Sequence, residues 1–250
     1  MLWILAVLCM KHYQRIFNIL YFICACLTLT ALVRPFLSPE TIPAIASATL
    51  ADSADAPADA DSMPAEIRRV AITFDDGPHP VYTQQLLDGL KERGVKATFF
   101  VTGEHAELHP DIVKRMVEEG HLVGNHTYSH IQLTKTNRET YKKELIRTNE
   151  LLKEITGQEV QYVRPPYGSW DKSFEKELNM FPVLWNVDPL DWCSENVSRI
   201  TEKIVRKVKE NDIILMHDYY ETSVEAALKV VDELQGEGYT FVTVEEILFD

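Results

Sequence analysis

The part of the chain from Ala65 to Asp250 has the sequence pattern of an α/β protein with a parallel sheet. Two observations predict this fold class. Short runs rich in β-branched and aromatic residues alternate with longer stretches that carry apolar residues every three or four positions, and glycines follow several of those stretches. Alternating strands and helices pair in parallel through right-handed crossovers. The periodicity fits an open doubly wound sheet and an incomplete barrel equally well.

Seven segments are predicted as strands because they are short, apolar and bounded by turn residues. In chain order they are Arg69–Phe74, Ala97–Val101, His121–Gly124, Val160–Arg164, Val183–Val187, Asp212–Met216 and Thr240–Val244.

Six segments between these strands are predicted as amphipathic helices. In chain order they are Pro80–Arg93, Pro110–Glu119, Arg138–Ile155, Ser173–Met180, Ser198–Glu210 and Val224–Gln235. Gly94, Gly120 and Gly157 lie at or just beyond the ends of the first three helices and are expected to terminate them.

Residues 1–37 are predicted to form a membrane anchor or a signal segment. Basic residues including Lys11 precede an uncharged stretch of 18 residues, Ile16–Val33. At about 1.5 Å per helical residue this stretch can cross a bilayer, and the charge before it predicts that the rest of the chain lies outside. An uncleaved anchor is favoured over cleavage near Ala46–Ala48, which lies well beyond the stretch. Met10 is an alternative start to Met1, because the apolar residues before Met10 are unusual.

Residues 38–64 are dominated by Ala, Asp, Ser and Pro and are predicted to be a flexible linker, because they carry too few large apolar residues to offset chain entropy. The expected organisation is therefore a folded domain, residues 65–250, tethered to a membrane. This arrangement places the domain at a bacterial cell surface, or outside the cell if the N-terminal segment is cleaved.

The composition disfavours nucleic acid as a partner and rules out a disulfide within the predicted domain. The net charge is −13 for the whole chain, which disfavours binding to nucleic acid phosphates. Cys193 is the only cysteine after residue 37, so no disulfide can form within the predicted domain. No sequence feature indicates an obligate protein partner.

Polar residues follow several of the predicted strands, where a catalytic face is expected. Asp75 and Asp76 follow the first strand, His126 and His130 follow the third, and His217 follows the sixth. The carboxyl ends of parallel strands meet at one edge in both candidate architectures, so these side chains should converge.

The two histidines and Asp76 form a candidate metal site. His126 and His130 are four positions apart, so a helical turn through Thr127 to Ser129 would bring both imidazoles to one side. Two imidazoles and one carboxylate leave coordination positions open for water and substrate, as a catalytic metal site requires. One divalent ion is expected, zinc first, with cobalt, nickel or manganese also compatible.

Five short sequence motifs occur along the predicted domain. They are Thr73–Gly77 (TFDDG), His126–His130 (HTYSH), Arg164–Tyr167 (RPPY), Asp188–Trp192 (DPLDW) and Ile214–Asp218 (ILMHD). In order and spacing they resemble the motifs of the polysaccharide deacetylases, the NodB-homology group of carbohydrate esterase family 4. The resemblance covers nearly all of the predicted domain and implies a distorted, incomplete (β/α) barrel of about seven strands.

By position, the resemblance implies a role for each residue of the first motifs. Asp75 would be the general base, and Arg164 would orient it. Asp76, His126 and His130 would hold the metal.

The later motifs carry the remaining roles that the resemblance implies. The backbone N–H of Tyr167 would stabilise the oxyanion. His217 would be the general acid, with Asp191 paired to its ring and raising its pKa. Trp192 and Leu215 would line the pocket for the acetyl methyl group.

The implied activity is metal-dependent removal of N-acetyl groups from a polysaccharide, with release of acetate. Peptidoglycan N-acetylglucosamine is the first choice of substrate, because a surface anchor suits an extracellular polymer. Chitin-like oligomers, exopolysaccharide and acetylxylan are alternatives. A catalytically silent carbohydrate-binding version of the domain is the alternative from another class, and it would be expected to lack one of the motif residues.

Overall fold

The computed structural model describes residues 68–249. The predicted anchor, residues 1–37, and the predicted linker, residues 38–64, lie outside the described residues. Within the described part, no helix is both long enough and apolar enough to cross a membrane.

A parallel sheet of seven strands forms the centre of the fold. The strands run in the order β5-β4-β3-β2-β1-β6, and β7 pairs with the first residues of β1. Their bounds are β1 Arg68–Asp75, β2 Thr98–Val101, β3 Leu122–Asn125, β4 Tyr162–Val163, β5 Phe181–Pro182, β6 Ile213–His217 and β7 Tyr239–Phe241.

The sheet curls into a half-barrel whose two edges are brought together by the segment after β5. Val183 continues the pairing with β4, since its N–H donates to the Val163 carbonyl at 2.8 Å. Four residues later, Val187 forms an isolated parallel bridge with Ile214 of β6, at the other edge of the sheet. This single bridge favours the incomplete barrel over the open doubly wound sheet.

Eight α-helices surround the described part of the sheet. They are α1 Tyr82–Glu92, α2 Gly103–Leu108, α3 Pro110–Glu118, α4 Arg138–Thr156, α5 Ser173–Leu178, α6 Val197–Val205, α7 Glu221–Gly236 and α8 Val244–Phe249. Two 3₁₀ turns, Pro166–Gly168 and Asp191–Cys193, lie in the motif segments after β4 and β5.

The central strand β1 has two buried faces with different neighbours. Ile72 and Phe74 belong to the main apolar core that the helices cover. Ala71 belongs to a smaller cluster with Phe100 and Ile213 on the inner side of the barrel. Because side chains alternate along a strand, the polar Thr73 and Asp75 also point to that inner side. The strand therefore delivers a carboxylate to the inside of the barrel at its carboxyl end.

The observed elements agree with most of the sequence predictions, but several differ in kind or in extent; the predicted strand Val160–Arg164 is shortened to Tyr162–Val163, and the predicted helix Ser198–Glu210 ends at Val205. The helices α2 and α8 were not expected, and the predicted strand Thr240–Val244 ends at Phe241. The predicted strand Val183–Val187 is instead the segment that crosses between the sheet edges, and β5 precedes it. The three glycines expected to end helices all have left-handed backbone angles, with φ between 64° and 82°.

Candidate active site

Two adjacent aspartates at the end of β1 point in different directions. Asp75 is the last residue of the strand and is 3% exposed on the inner side of the barrel. Asp76 follows in a left-handed conformation, with φ of 74°. This conformation turns its carboxylate toward His126, in the loop after β3. The change in backbone conformation therefore lets neighbouring carboxylates serve separate contacts.

Arg164 fixes the position of Asp75 from inside the barrel. Its Nη1 donates to Asp75 Oδ1 at 2.8 Å and to Thr73 Oγ1 at 2.6 Å. Its other nitrogens donate to the carbonyls of Val183 and Leu184, and the guanidinium is fully buried. A charge buried this deeply requires its counter-ion and these hydrogen bonds, so Asp75 is held in one orientation.

The two motif histidines are brought together by a loop and not by a helical turn. Thr127 and His130 have positive φ angles of 63° and 55°, which are not helical values. Glu144 of α4 holds the loop by accepting hydrogen bonds from the N–H groups of Tyr128 and Ser129 at 3.0 and 2.7 Å. The resulting distance between the ring centroids of His126 and His130 is 4.9 Å.

Asp76, His126 and His130 form a cluster with metal-ligand geometry. One potential ligand atom from each residue lies within 4.8 Å of the others. The Nε2 atoms of both histidines are 3.4 Å from Asp76 Oδ1. That oxygen is buried and accepts no hydrogen bond from the described residues.

The hydrogen bonding of His126 explains why this cluster fits a cation. Its Nδ1 lies 2.6 Å from the carbonyl oxygen of Arg164, which can only accept, so Nδ1 carries the proton. In the neutral ring Nε2 then presents a lone pair to Asp76 Oδ1, and two acceptors face each other. Burial lowers the pKa of His126, but the charges of Asp75 and Asp76 raise it above its ordinary value. The site therefore attracts positive charge, and the carbonyl contact is the usual support for a metal-binding histidine.

His217 is oriented by Asp191 on the opposite side of β1 from these histidines. Its Nδ1 lies 2.9 Å from Asp191 Oδ1, and its backbone N–H donates to Asp191 Oδ2 at 2.9 Å. Burial alone would lower the pKa of His217, but the hydrogen bond and the charge of Asp191 raise it to about 9. The ring is therefore protonated at neutral pH, and its Nε2 is left for another partner.

These groups surround one cavity of about 360 Å³ at the carboxyl ends of the strands. Most of the sequence-predicted site residues line this cavity, namely Asp75, Asp76, His126, His130, Tyr167, Trp192, Leu215 and His217. Arg164 and Asp191 lie behind this surface, at 0% and 1% exposure, and act on it through Asp75 and His217.

The expected aromatic and apolar residues occupy different depths of this cavity. Tyr167 is 66% exposed at the rim and has a φ of 59°, and Trp192 is 52% exposed. Leu215 is buried in β6 and contributes to the floor. The cavity thus has a small apolar floor and an aromatic rim.

Several contributors to the cavity were not among the sequence-predicted site residues. Trp185, Leu190 and Tyr220 also line it, and Thr73 supports Arg164 from below. Leu190 lies inside the DPLDW motif and Tyr220 follows His217 by three residues, so proximity to the motifs was the available signal. Trp185 had no such signal, because it lies in the segment that was predicted as a regular strand.

Comparison with known proteins identifies relatives of the chain. A sequence model of the polysaccharide deacetylase domain matches residues 62–183. A peptidoglycan-N-acetylglucosamine deacetylase from Bacillus cereus is 41% identical over 190 residues, covering 73% of this chain and 69% of that protein. The peptidoglycan-N-acetylmuramic acid deacetylase PdaC from Bacillus subtilis is 38% identical over 178 residues, covering 71% of this chain. The match spans only 38% of the length of PdaC.

Solved structures show the same relationship. The structure of PdaC superposes with a TM-score of 0.70 and 38% identity, covering 72% of this chain and 90% of that structure. A CE4 family pseudoenzyme from Bacillus anthracis gives a TM-score of 0.68 at 27% identity, covering 73% of this chain and 66% of that one. A mutant of this pseudoenzyme is described as having restored enzymatic activity.

The motif resemblance and the half-barrel are both confirmed by these relatives. With 41% identity to a relative of which it covers 69%, the chain belongs to the polysaccharide deacetylase family, the hydrolases of carbohydrate esterase family 4.

Proposed function

We propose that this chain is a metal-dependent N-deacetylase that acts on N-acetylglucosamine residues of peptidoglycan at a bacterial cell surface. The observation that carries the proposal is the arrangement of three groups around one cavity. The cluster of Asp76, His126 and His130 lies beside Asp75, and His217 lines the same cavity. Asp75 is paired with Arg164 at 2.8 Å, and His217 is paired with Asp191 at 2.9 Å.

The proposed substrate class is supported by the relatives and by the cavity. The Bacillus cereus relative and PdaC are named for N-acetylglucosamine and N-acetylmuramic acid of peptidoglycan. The exposed rings of Tyr167, Trp192 and Tyr220 give the rim of the cavity flat surfaces on which sugar rings can stack. The predicted anchor and linker suit an insoluble polymer outside the membrane. Chitin-like oligomers, exopolysaccharide and acetylxylan are the competing substrates.

Asp76, His126 and His130 are the residues that would hold the metal. Their donor set of two imidazole nitrogens and one carboxylate oxygen suits zinc first, and also cobalt, nickel or manganese. The chemistry that a bound cation supplies at such a site is Lewis acidity toward the acetyl carbonyl and the attacking water.

Asp75 has the position of the general base. One of its oxygens accepts from Arg164 at 2.8 Å, and the other lies 3.8 Å from His126 Nε2, next to the metal cluster. The second oxygen can therefore accept a proton from a water that attacks the carbonyl carbon. Because Arg164 cannot lose its own proton, it keeps Asp75 in place throughout the reaction.

His217 has the position of the general acid. Its Nδ1 faces Asp191, so its Nε2 proton is the one available to the departing amine. The raised pKa of about 9 keeps that proton on the ring at neutral pH. The backbone N–H of Tyr167 is the proposed donor to the oxyanion, and a donor in that position is typically worth about 3–4 kcal/mol of barrier height.

The alternative of a silent carbohydrate-binding domain is less well supported. The family includes a pseudoenzyme, so membership alone does not establish catalysis. In this chain the base, the acid, their two partners and all three proposed ligands are present and lie around one cavity.

The test is acetate release by the full-length protein from purified peptidoglycan, chitooligosaccharides and acetylxylan. We expect release from peptidoglycan, complete loss after chelation, and recovery on addition of Zn²⁺. Asp75→Asn should lower kcat by at least about 100-fold, the contribution of a general base, while metal content stays unchanged. Asp111→Asn, an exposed position on α3, is the matched control and should be neutral. No acetate from any substrate with metal supplied would favour the silent domain.

A further inference from the structure

Asp218 is a buried carboxyl group that none of the proposed catalytic steps uses. It follows His217 directly and is 1% exposed. Its carboxylate lies against Gly77: a Cβ atom at position 77 would lie 2.2 Å from Asp218 Oδ2 and 2.3 Å from Oδ1. The glycine of the TFDDG motif thus leaves room for a carboxylate that approaches from β6.

Hydrogen bonds connect Asp218 to the far side of the same turn. Thr83 Oγ1, at the start of α1, donates to Asp218 Oδ2 at 2.5 Å. The N–H of His79 in turn donates to Thr83 Oγ1 at 2.7 Å. The turn from Asp76 to His79 is therefore joined to the end of β6 by steric contact at Gly77 and by this hydrogen-bonded chain.

The opposite side of the turn is held by the residues that follow β2. The Thr102 N–H donates to the Gly77 carbonyl at 3.1 Å, and His105 Nδ1 donates to the Asp76 carbonyl at 2.6 Å. Asp76 itself has the left-handed φ of 74°, a conformation that is uncommon for a residue with a side chain. Such a conformation persists only when the surroundings impose it.

We propose that Asp218 is a positioning residue that fixes the Asp76 turn against the strand end carrying His217, and thereby sets the affinity of the Asp76, His126 and His130 cluster for its metal. The inference deepens the proposed function and rests on it for the nature of the bound group. Asp218 is not among the described residues that line the substrate cavity, and its side chain lies against Gly77, next to Asp76 in the turn, so we expect it to act through the backbone of that turn.

The contacts of Asp218 require an acceptor of the right shape but not a negative charge. Burial raises the pKa of Asp218 to about 7, so the side chain is partly neutral under ordinary conditions. The Thr83 hydroxyl can donate equally well to an amide oxygen. Asp218→Asn should therefore keep the turn in place, whereas Asp218→Ala removes both the contact at Gly77 and the acceptor for Thr83.

The test is a calorimetric titration of Zn²⁺ into full-length protein from which metal has been removed, with no substrate present. We expect Asp218→Ala to weaken Zn²⁺ binding about 10- to 100-fold, the usual effect of losing a residue that supports metal ligands. Asp218→Asn should bind within about threefold of the native protein. Thr83→Val, which keeps the shape of the side chain but loses the hydroxyl, should weaken binding by roughly three- to tenfold, because the hydrogen bonds to Asp218 and from the His79 N–H are both lost.

Thr201→Val is the matched control, because Thr201 is buried on α6 and its hydroxyl donates, among the described residues, to the carbonyl of Val197 of the same helix. It should lower the melting temperature, because a buried hydrogen bond is lost, without changing Zn²⁺ affinity. Native affinity in Asp218→Ala, or equal weakening by Thr201→Val, would overturn the proposal. If Asp218→Ala does not fold, native Zn²⁺ affinity in Thr83→Val overturns it instead.

The same data separate this inference from the proposed function. A native protein that binds Zn²⁺ but releases no acetate from any substrate contradicts the proposed activity and leaves the comparison of affinities valid. A native protein that binds no Zn²⁺ contradicts the positioning role together with the metal site.

Discussion

The two acid–base residues proposed for the reaction have partners of different kinds. Asp75 is paired with an arginine, a side chain that stays protonated across the ordinary pH range. His217 is paired with a carboxylate, and it is the imidazole of this pair that titrates above neutral pH. The alkaline limit of the activity should therefore report on the pair of His217 and Asp191.

Substitution Asp191→Asn should move the alkaline limb of the kcat/KM profile to lower pH by roughly 1–3 units, the usual effect of one adjacent charge. In the native protein burial lowers the pKa of His217, but Asp191 outweighs it and raises that pKa to about 9. Asparagine can accept the hydrogen bond but carries no charge, so burial dominates and the acid form is lost at lower pH. The measurement is acetate release between about pH 6 and pH 10. An unchanged alkaline limb would show that His217 is not the acid.

Residues within the motifs were predictable mainly because the order and spacing of the five motifs resemble those of the family. The convergence of Asp76, His126 and His130 followed from their positions after parallel strands. The left-handed conformation that turns Asp76 away from Asp75 did not follow, since the turn is contacted by Thr102 and Asp218 from distant segments of the chain. Contacts between distant segments of this kind leave no periodic signal in a sequence.

At the scale of elements, α4 ends at Gly157, a position where a side chain would have room. Gly157 has a φ of 72° and donates its N–H to the Lys153 carbonyl at 2.8 Å. A Cβ atom at this position would meet no neighbouring heavy atom within 4 Å. The contribution of Gly157 is therefore conformational and not steric. Gly236, the last residue of α7, has equally open surroundings but no positive φ.

These two glycines give a matched pair for a stability measurement. Gly157→Ala should lower the free energy of unfolding by about 1–2 kcal/mol, because alanine is strained in the left-handed region. Gly236→Ala should be neutral or stabilising by up to about 1 kcal/mol, because helical alanine is favoured over glycine. Urea unfolding followed by circular dichroism measures both, and kcat should not change in either variant. Equal effects at the two positions would contradict the conformational explanation.

The elements that the sequence analysis missed are short or interrupted. The six residues of α2 are too few to show helical periodicity. The start of α8 had a usable signal, since Thr243 and Glu246 have the spacing of a capping box and the Glu246 carboxylate accepts from the Thr243 N–H at 2.8 Å. Val183–Val187 is mostly apolar, and both of its ends are buried, at opposite edges of the sheet. A segment of this length and composition cannot be distinguished from a regular strand.

At the scale of the whole molecule, the described residues form a complete half-barrel with its cavity. The segment before it, from residue 1 to residue 67, lies outside the structure and was interpreted from its composition alone. Its proposed role is to hold an acidic catalytic domain near a polymer outside the membrane. The uncharged stretch Ile16–Val33, which follows basic residues, is the feature on which that interpretation depends.

The anchor can be tested by fractionating bacterial cells that express the full-length chain. We expect the full-length protein to remain in the membrane pellet after extraction at alkaline pH, because a stretch of 18 uncharged residues can cross the hydrocarbon layer. A variant in which Leu20 and Leu27 are both changed to Arg should leave the pellet, since each charge within the layer costs about 2.5–3.5 kcal/mol on insertion scales. Cleavage near Ala46–Ala48 would instead yield a soluble product whose intact mass lacks the N-terminal residues. That product would replace the anchored arrangement by a secreted one and leave the proposed chemistry unchanged.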